Sequence, residues 1–323
     1  MKQLRFICAQ PATLYYAWQV EVMLNNFIEM GINPNYIDIV CYKQNNIIPD
    51  EWNKLANNYA ARFFFYDDIR ETRHYISSIR PNILKQHWLK YPELENNTIL
   101  YFDSDIIFSK PISEWITDEM INDNIWYGSD TRWYIAHSYI KSKGDDIINK
   151  MCEIMEIDEN IIEANELNCI GAQYLMKGLT YEFWNRVESD SERLFKEITD
   201  LNNEKIQLDR HTMSEEESRK PYHPLQIWCA DMWAVLWGGW RLGYKTCTHS
   251  NFNFSWATSS QEDYHKMNIM HNAGVTSPDS GLFYKAEYMN RLPYGDILDI
   301  KEGTASWYYY QWVRKVGQKS VLI

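Results

Sequence analysis

The chain has no apolar run long enough to cross a membrane, and the apolar stretch after Met1 is too short for the core of a secretory signal. It also has no cysteines in CxxC spacing, which argues against a zinc site or a disulfide framework. The six cysteines are scattered: Cys8, Cys41, Cys152, Cys169, Cys229 and Cys247. We therefore expect reduced thiols in a soluble protein of the cytoplasm, or of the host cytoplasm if the chain is viral.

Positive charge is scarce in this sequence. Lys and Arg number 32 against 44 Asp and Glu, so the formal net charge of −12 opposes nonspecific binding to nucleic acid or to an anionic membrane. The N-terminal region has no glycine-rich phosphate-binding loop, which disfavours a nucleotidyltransferase. Aromatic residues are abundant, however. The 14 Trp, 23 Tyr and 12 Phe exceed what the core obviously requires and leave rings available for a ligand cleft.

The first third of the chain alternates between strand and helix patterns. Apolar residues Val20, Leu24, Phe27 and Ile28 share one face of a helix that ends at Gly31. The predicted elements are a strand over 4–9, a helix over 15–30, a strand over 37–42, a helix over 51–59, a strand over 62–66 and a helix over 77–91. This alternation predicts an α/β fold with a mainly parallel, Rossmann-like central sheet flanked by helices.

The most informative segment covers residues 99–108, a strand-like apolar run interrupted by Asp103, Ser104 and Asp105. An unpaired carboxylate in a buried strand is costly, so a ligand is expected to hold these acids there. Carboxylate oxygens suit Mg²⁺ or Mn²⁺, which complete their shells with water and substrate phosphates. The pair therefore predicts a metal site for a nucleoside-diphosphate substrate. A plain turn between two strands is the alternative, because Asp and Ser are common turn residues.

A second feature is expected at the same edge of the sheet. Ligands of such sheets bind at the carboxyl ends of the strands. Ala9, Gln10 and Pro11 follow the first predicted strand, while Asp103 and Asp105 lie at the end of a later one. The first three residues are therefore candidates for contact with a base or ribose, with an ordinary βα loop as the alternative.

The second half of the chain is less regular and shows no clear linker or internal repeat. Residues 202–224 are polar and charged, which predicts a surface loop, either a lid or a solvated insertion. Asp231 is another acid in an apolar run. It is a candidate for acid–base chemistry, and capping of a helix is the alternative.

Four segments, in sequence order, resemble those of GT-A fold glycosyltransferases, especially family 8 and related enzymes. They are residues 101–107, which contain the Asp-x-Asp (DxD) motif, and residues 168–174, 228–233 and 269–274. They resemble, in that order, the metal-binding segment, the segment that shapes the donor-sugar pocket, the acidic segment beside the reacting sugar and the late His-x-x-Gly segment. The resemblance covers about residues 4–290.

This resemblance implies a GT-A fold and an enzyme of EC class 2.4. Such an enzyme moves a sugar from a nucleotide sugar, expected to be a UDP-sugar, to an acceptor hydroxyl. One domain over 1–323 is expected. Residues 1–125 would form its nucleotide-sugar-binding half, and residues 126–323 its acceptor-side half with the C-terminal metal and diphosphate segment.

The resemblance also implies a metal held by Asp103, Asp105 and His271. Imidazole suits Mn²⁺ better than Mg²⁺, which favours manganese, and a histidine of the core is the alternative for His271. Residues that the resemblance and the strand-end argument together assign to the nucleotide sugar are Ala9, Gln10, Pro11, Asp103, Ser104, Asn168 and Gly274. Asp231, which would stabilise the sugar cation or take the acceptor proton, and Gln173, which would contact donor hydroxyls, are the predicted catalytic residues.

The sequence departs from the family pattern after Gly274. That pattern has a Lys three residues later, where this chain has Ser277. Lys285 and Arg80 are the two candidates for the missing positive charge at the diphosphate. A guanidinium such as that of Arg80 can contact phosphate in a bidentate manner, and a surface position at the start of a helix is the alternative.

The acceptor stays open at this stage. A glycan, a protein, a lipid, a small molecule and a hydroxymethylated DNA base are all compatible with the motifs. The DNA base would make this a phage-type DNA glycosyltransferase and would have to be flipped out of the duplex. A noncatalytic sugar-binding protein would use the aromatic residues without the acid pair. Four tryptophans are candidates for an acceptor cleft or for the core: Trp233, Trp237, Trp240 and Trp256.

Overall fold

The computed structural model describes residues 2–213 and 221–323. The strands of these ranges are β1 (Leu4–Pro11), β2 (Ile37–Tyr42), β3 (Arg62–Tyr66), β4 (Thr98–Tyr101), β5 (Ile106–Phe108), β6 (Ile125–Asp130), β7 (Ile170–Lys177), β8 (Lys245–Thr248), β9 (Phe254–Trp256) and β10 (Ile269–His271). The α-helices are α1 (Leu14–Glu29), α2 (Asp50–Asn58), α3 (Ile79–Lys90), α4 (Asp118–Asn122), α5 (Arg132–Ile135), α6 (His137–Lys141), α7 (Asp145–Met155), α8 (Glu159–Ala164), α9 (Tyr181–Met213), α10 (Ala230–Arg241), α11 (Gln261–Lys266) and α12 (Ala305–Gly317).

A seven-stranded sheet in the order β3-β2-β1-β4-β7-β6-β8 forms the centre of the fold. Neighbouring strands are parallel except at β7, which runs antiparallel to both β4 and β6. The prediction of an α/β fold with a mainly parallel central sheet is therefore confirmed. The sheet takes strands from both halves of the sequence. A second, three-stranded sheet has the order β5-β10-β9.

The local elements of the first third follow the predicted pattern closely. Strands β2 and β3 have the predicted bounds, and β1 continues two residues beyond the predicted end to Pro11. The helix expected over 77–91 begins at Ile79, because the preceding turn, Ile76–Ser78, is a 3₁₀-helix. Strands β1 and β2 are buried along almost their whole length, which is typical of parallel strands covered on both faces and makes them continuous apolar runs in the sequence.

The prediction of a surface loop over 202–224 is wrong for residues 202–213, which continue α9. Residues 214–218, the Glu-rich part of that segment, lie outside the described residues. A run of charged residues is typical of the solvent-facing side of a helix as well as of a loop. Asn202 is buried on this helix, and its side-chain amide donates to the carbonyl oxygen of Leu225 at 3.1 Å.

The core lies on both faces of the large sheet. Alternate residues of β1 point to opposite sides, with Ile7 and Ala9 in one apolar cluster and Phe6 and Cys8 in the other. The first cluster packs against α3, α7, α9 and α10, and the second against α1, α2 and α12. Among the described residues, no helix is both long and apolar enough to cross a membrane.

Candidate functional site

Asp103, Ser104 and Asp105 form the turn that carries the chain from β4 in the large sheet to β5 in the small one. The strand-like run of the sequence is thus two strands with a turn between them. The expectation of two buried acids is right for Asp105 alone, whose side chain is 7% exposed, whereas that of Asp103 is 37% exposed. A turn at the end of β4 places both carboxylates at the carboxyl edge of the large sheet, where ligands of such folds bind.

His271 reaches this turn through the pairing of β5 with β10, in which it lies opposite Ile106. Its Nε2 atom lies 3.1 Å from Oδ1 of Asp105 and 3.8 Å from Oδ2 of Asp103. The ring of Trp256 stacks on the imidazole with centroids 6.0 Å apart. The strand pairing and this stacking hold the histidine against the acid pair.

Two permanent cations complete the site. The Lys285 ammonium donates to Oδ2 of Asp105. The Arg80 guanidinium donates through Nη1 to Oδ1 of Asp103 at 2.7 Å, and through Nη2 to Asp231. Three carboxylates therefore face two fixed positive charges. The structure supplies at Lys285 an ammonium group that the sequence lacks at Ser277.

The buried charged groups of the site shift the pKa values of one another. Burial alone would raise the pKa of Asp105, but the positive charges of Lys285 and His271 outweigh burial and lower it. Burial would likewise lower the pKa of His271, but the carboxylate of Asp105 outweighs burial and raises it. Asp105 is therefore held in its ionised form, which is the form that binds a metal.

The residues present fit a divalent metal ion. Asp103, Asp105 and His271 each offer one ligand atom, and these atoms all lie within 4.8 Å of one another. Two carboxylates and one imidazole form a donor set that suits Mn²⁺. Such a site leaves coordination positions for water and phosphate oxygens.

One side of the acid pair opens into a cavity of about 310 Å³, which we call the α1 cavity. Of the predicted nucleotide-sugar residues, it brings together Ala9, Gln10, Pro11, Arg80, Asp103, Ser104 and Lys285. It does not include Asn168, whose carbonyl accepts a hydrogen bond from Thr246, or Gly274, which is exposed beyond β10. Sequence reasoning missed three further lining residues at the start of α1, namely Tyr15, Tyr16 and Gln19.

The other side opens into a cavity of about 490 Å³, which we call the aromatic cavity. Arg80, Asp103 and His271 line both cavities. The rings that line the aromatic cavity are those of Tyr75, Tyr101, Tyr134, Tyr174, Trp184, Phe195, Trp228, Phe254 and Trp256. The buried hydroxyl of Tyr174 has no hydrogen-bond partner among the described residues.

Asp231 also lines the aromatic cavity. It is the second residue of α10, whose N-cap is Cys229, so the helix-capping alternative for Asp231 is wrong. Its carboxylate accepts hydrogen bonds from Arg80 and, at 2.7 Å, from the Tyr75 hydroxyl. Burial, with the nearby Asp231 charge, raises the pKa of Tyr75, so this hydroxyl stays a donor. The carboxylate is thus held at the cavity wall by two donors.

Gln173 lies behind the acid pair and lines neither cavity. Its side chain is fully buried, accepts a hydrogen bond from the Ser129 hydroxyl at 3.0 Å, and places Nε2 3.5 Å from Nδ1 of His271. The preceding Ala172 has a φ of +61°, a left-handed conformation that costs a non-glycine residue about 1–2 kcal/mol. The β6–β7 register shifts nearby, at Gly128 and Ser129. Such strain is found where a site over-determines the backbone.

No protein-family model and no curated protein matched the chain. The solved structures similar to it include the WbbM bifunctional glycosyltransferase without ligand, at 10% identity and a TM-score of 0.45, where the match covers 96% of this chain and 52% of that chain. A second is the galactosyltransferase LgtC with donor and acceptor sugar analogues, at 11% identity and a TM-score of 0.39, covering 95% of both chains. A third is the glycosyltransferase GlyE of Streptococcus pneumoniae TIGR4, at 12% identity and a TM-score of 0.40, covering 99% of this chain and 64% of that chain. The chain thus spans about half the length of WbbM and about two thirds that of GlyE.

Proposed function

We propose that this protein is a metal-dependent glycosyltransferase that moves a sugar from a nucleoside-diphosphate sugar, taken to be a UDP-sugar, to an acceptor hydroxyl. The observation that carries the proposal is the convergence of Asp103, Asp105 and His271 with Arg80 and Lys285 between two cavities. A cytoplasmic location suits six free thiols, the state of every cysteine in the structure.

Each of the two cavities binds a different part of the nucleotide-sugar donor. The nucleoside occupies the α1 cavity, against the backbone of Ala9 and Pro11 and the rings of Tyr15 and Tyr16. The sugar enters the aromatic cavity. The diphosphate lies between them beside Arg80, which lines both cavities and carries a fixed positive charge. A guanidinium placed there can change partners from carboxylate to phosphate without losing an ionic contact.

The chemistry develops negative charge on the departing diphosphate and positive charge at the anomeric carbon. When bound at Asp103, Asp105 and His271, Mn²⁺ would supply Lewis-acid charge to the leaving group. Lys285 and Arg80 add fixed positive charge at the same end of the donor. Asp231 faces the sugar, where its carboxylate stabilises the developing cation or takes the acceptor proton.

Gln173 holds His271 in this scheme, although the sequence suggested contact with donor hydroxyls. With Nε2 of His271 on the metal, Nδ1 carries the ring proton and donates it to the Gln173 side-chain amide turned with its oxygen toward the ring; replacing Gln173 by Leu removes this acceptor, and we expect the affinity for Mn²⁺ to fall by about 10–100-fold. Calorimetric titration with Mn²⁺ in the presence of UDP measures this. The KM for the nucleotide sugar at saturating Mn²⁺ should stay near the wild-type value. A raised KM with unchanged metal affinity would instead mean that Gln173 contacts the donor hydroxyls.

Metal-linked binding of the nucleotide tests the proposal as a whole. UDP should raise the melting temperature with Mn²⁺ present and leave it unchanged in EDTA, because the ligand stabilises only the state to which it binds. If UDP does not change the melting temperature in a metal-dependent way, Asp103 and Asp105 serve only in a structural network of ion pairs.

A further inference from the structure

An open groove of about 600 Å³ adjoins the site, and we call it the Trp133 groove. It shares Tyr134, Phe254 and Trp256 with the aromatic cavity, and its other lining residues include Trp133 and Glu166. The volume lies within the range of about 300–1,000 Å³ that small-molecule sites occupy. Because Trp256 stacks on His271, the groove begins directly beside the candidate metal ligands.

Two exposed indoles flank this junction. Trp133 is 69% exposed and Trp228 is 56% exposed. The Trp228 ring stacks on Tyr134 with centroids 5.8 Å apart, and the Trp133 ring meets the edge of Tyr134 at 4.4 Å. Burying a large apolar side chain is worth about 1.5–3 kcal/mol, so folding alone gives no reason to leave two indoles in water beside the site. A flat ligand covering them recovers that free energy.

Polar groups at fixed positions alternate with these rings. The Asp130 carboxylate accepts two hydrogen bonds from Arg132, at 2.9 and 2.6 Å. The Asn253 side-chain oxygen accepts a hydrogen bond from the backbone N–H of Asp130 at 3.0 Å, which fixes the orientation of the Asn253 amide. The NH₂ group of this amide makes no hydrogen bond within residues 2–213 and 221–323. The Glu166 carboxylate accepts from the Ser138 hydroxyl. The groove therefore offers preset hydrogen-bond donors and acceptors between aromatic faces.

The charge of the groove limits what it can hold. Asp130 and Glu166 face a single cation, Arg132, so the lining is slightly negative, and the chain as a whole carries −12. A phosphate backbone would meet repulsion at this surface. A ligand with apolar ring faces and neutral hydroxyl edges meets complementary groups on each side. An oligosaccharide has both features.

We propose that the Trp133 groove binds the acceptor and that this acceptor is a neutral oligosaccharide; the inference rests on the proposed function. Its sugar rings lie on Trp133 and Tyr134, and its terminal hydroxyl reaches the aromatic cavity past Trp256. The hydroxyl oxygen forms a bond to the anomeric carbon, while the bond from that carbon to the diphosphate oxygen breaks. The diphosphate leaves with the electron pair, and the hydroxyl proton passes to the Asp231 carboxylate.

The test is binding of wild type, Trp133→Ala and Tyr36→Ala to an array of immobilised neutral oligosaccharides, with UDP and Mn²⁺ present. Tyr36 is a matched control, because it is an exposed aromatic residue that lines none of the three cavities. Wild type and Tyr36→Ala should bind a common subset of glycans, and Trp133→Ala should lose at least tenfold in signal. The melting-temperature shift by UDP and Mn²⁺ should be the same in all three proteins, which shows that the donor site is intact.

Any one of three results would overturn the inference. The first is that wild type binds no neutral glycan, and the second is that Trp133→Ala binds as well as wild type. The third is that both proteins prefer an oligonucleotide containing hydroxymethylcytosine placed on the same array. Each of these is distinguishable from failure of the proposed function, which appears as a missing shift by UDP and Mn²⁺ and does not depend on the array.

Discussion

Replacement of Asp105 by Asn is expected to lower the rate at which UDP is released from a UDP-sugar by about 10³-fold, the size of effect seen when one charge-stabilising group of an active site is lost. Asp105 is the buried member of the pair and contacts both His271 and Lys285. The amide keeps the shape but removes the charge that holds the cation. The measurement is the initial rate of UDP release with saturating Mn²⁺.

Asp146→Asn is the control for this substitution. Asp146 forms a surface ion pair with Lys205 and lines none of the three cavities, so its loss should leave the rate unchanged. If Asp105→Asn folds and retains more than a tenth of the wild-type rate, the acid pair is not the centre of the reaction.

Replacement of Asp231 by Asn should separate chemistry from binding. Asp231 faces the aromatic cavity and is not one of the three clustered metal-ligand candidates, so UDP should still raise the melting temperature with Mn²⁺. The rate of UDP release should fall by about 10²–10⁴-fold, the contribution typical of a positioned acid–base group. The measurements are the thermal shift and the rate on one preparation.

Tyr75→Phe is the matched partner of this variant, since it removes one hydrogen bond to Asp231 and leaves the carboxylate in place. We expect its rate to lie between those of wild type and Asp231→Asn. If Asp231→Asn loses metal-linked UDP binding as completely as Asp105→Asn does, Asp231 belongs to the diphosphate site. A wild-type rate of UDP release in Asp231→Asn would show that Asp231 has no role in the reaction.

The sequence predicted the strands β1 to β4 of the large sheet because that information is local, whereas β6, β7 and β8, which complete the sheet, were not predicted. Val20, Leu24 and Phe27 are buried on α1 as their spacing predicted, although Ile28, assigned to the same face, is exposed. Strands β2 and β3 are short apolar runs in the sequence. The continuation of α9 through residues 202–213 was missed because charge alone does not distinguish a solvated helix face from a loop.

The site could be predicted only in part, because strand pairing between segments distant in sequence brings its residues together. The resemblance pointed to His271, but the register of β5 against β10 is what sets it beside Asp105. No local signal places Lys285 on Asp105, and none marks Tyr15, Tyr16 or Tyr75 as lining residues.

Exposure of tryptophan was the least predictable property. Of the four proposed for an acceptor cleft, Trp256 lines two cavities, but Trp233, Trp237 and Trp240 are buried in the core on α10. Trp133 and Trp228, which were not among those four, are the exposed ones. Only tertiary packing decides which indoles remain in water.

Joint binding of a divalent cation and a nucleoside diphosphate at Asp103, Asp105 and His271 is the step on which the proposed function depends. The most direct measurement is thermal unfolding of wild type and Asp103→Ala with UDP, GDP, ADP and CDP, each with Mn²⁺ or EDTA, alongside Mn²⁺ alone. We expect a rise in melting temperature of a few degrees for UDP with Mn²⁺, no rise in EDTA, and no rise in Asp103→Ala. No shift with any diphosphate, or an equal shift in EDTA and in Asp103→Ala, would contradict it.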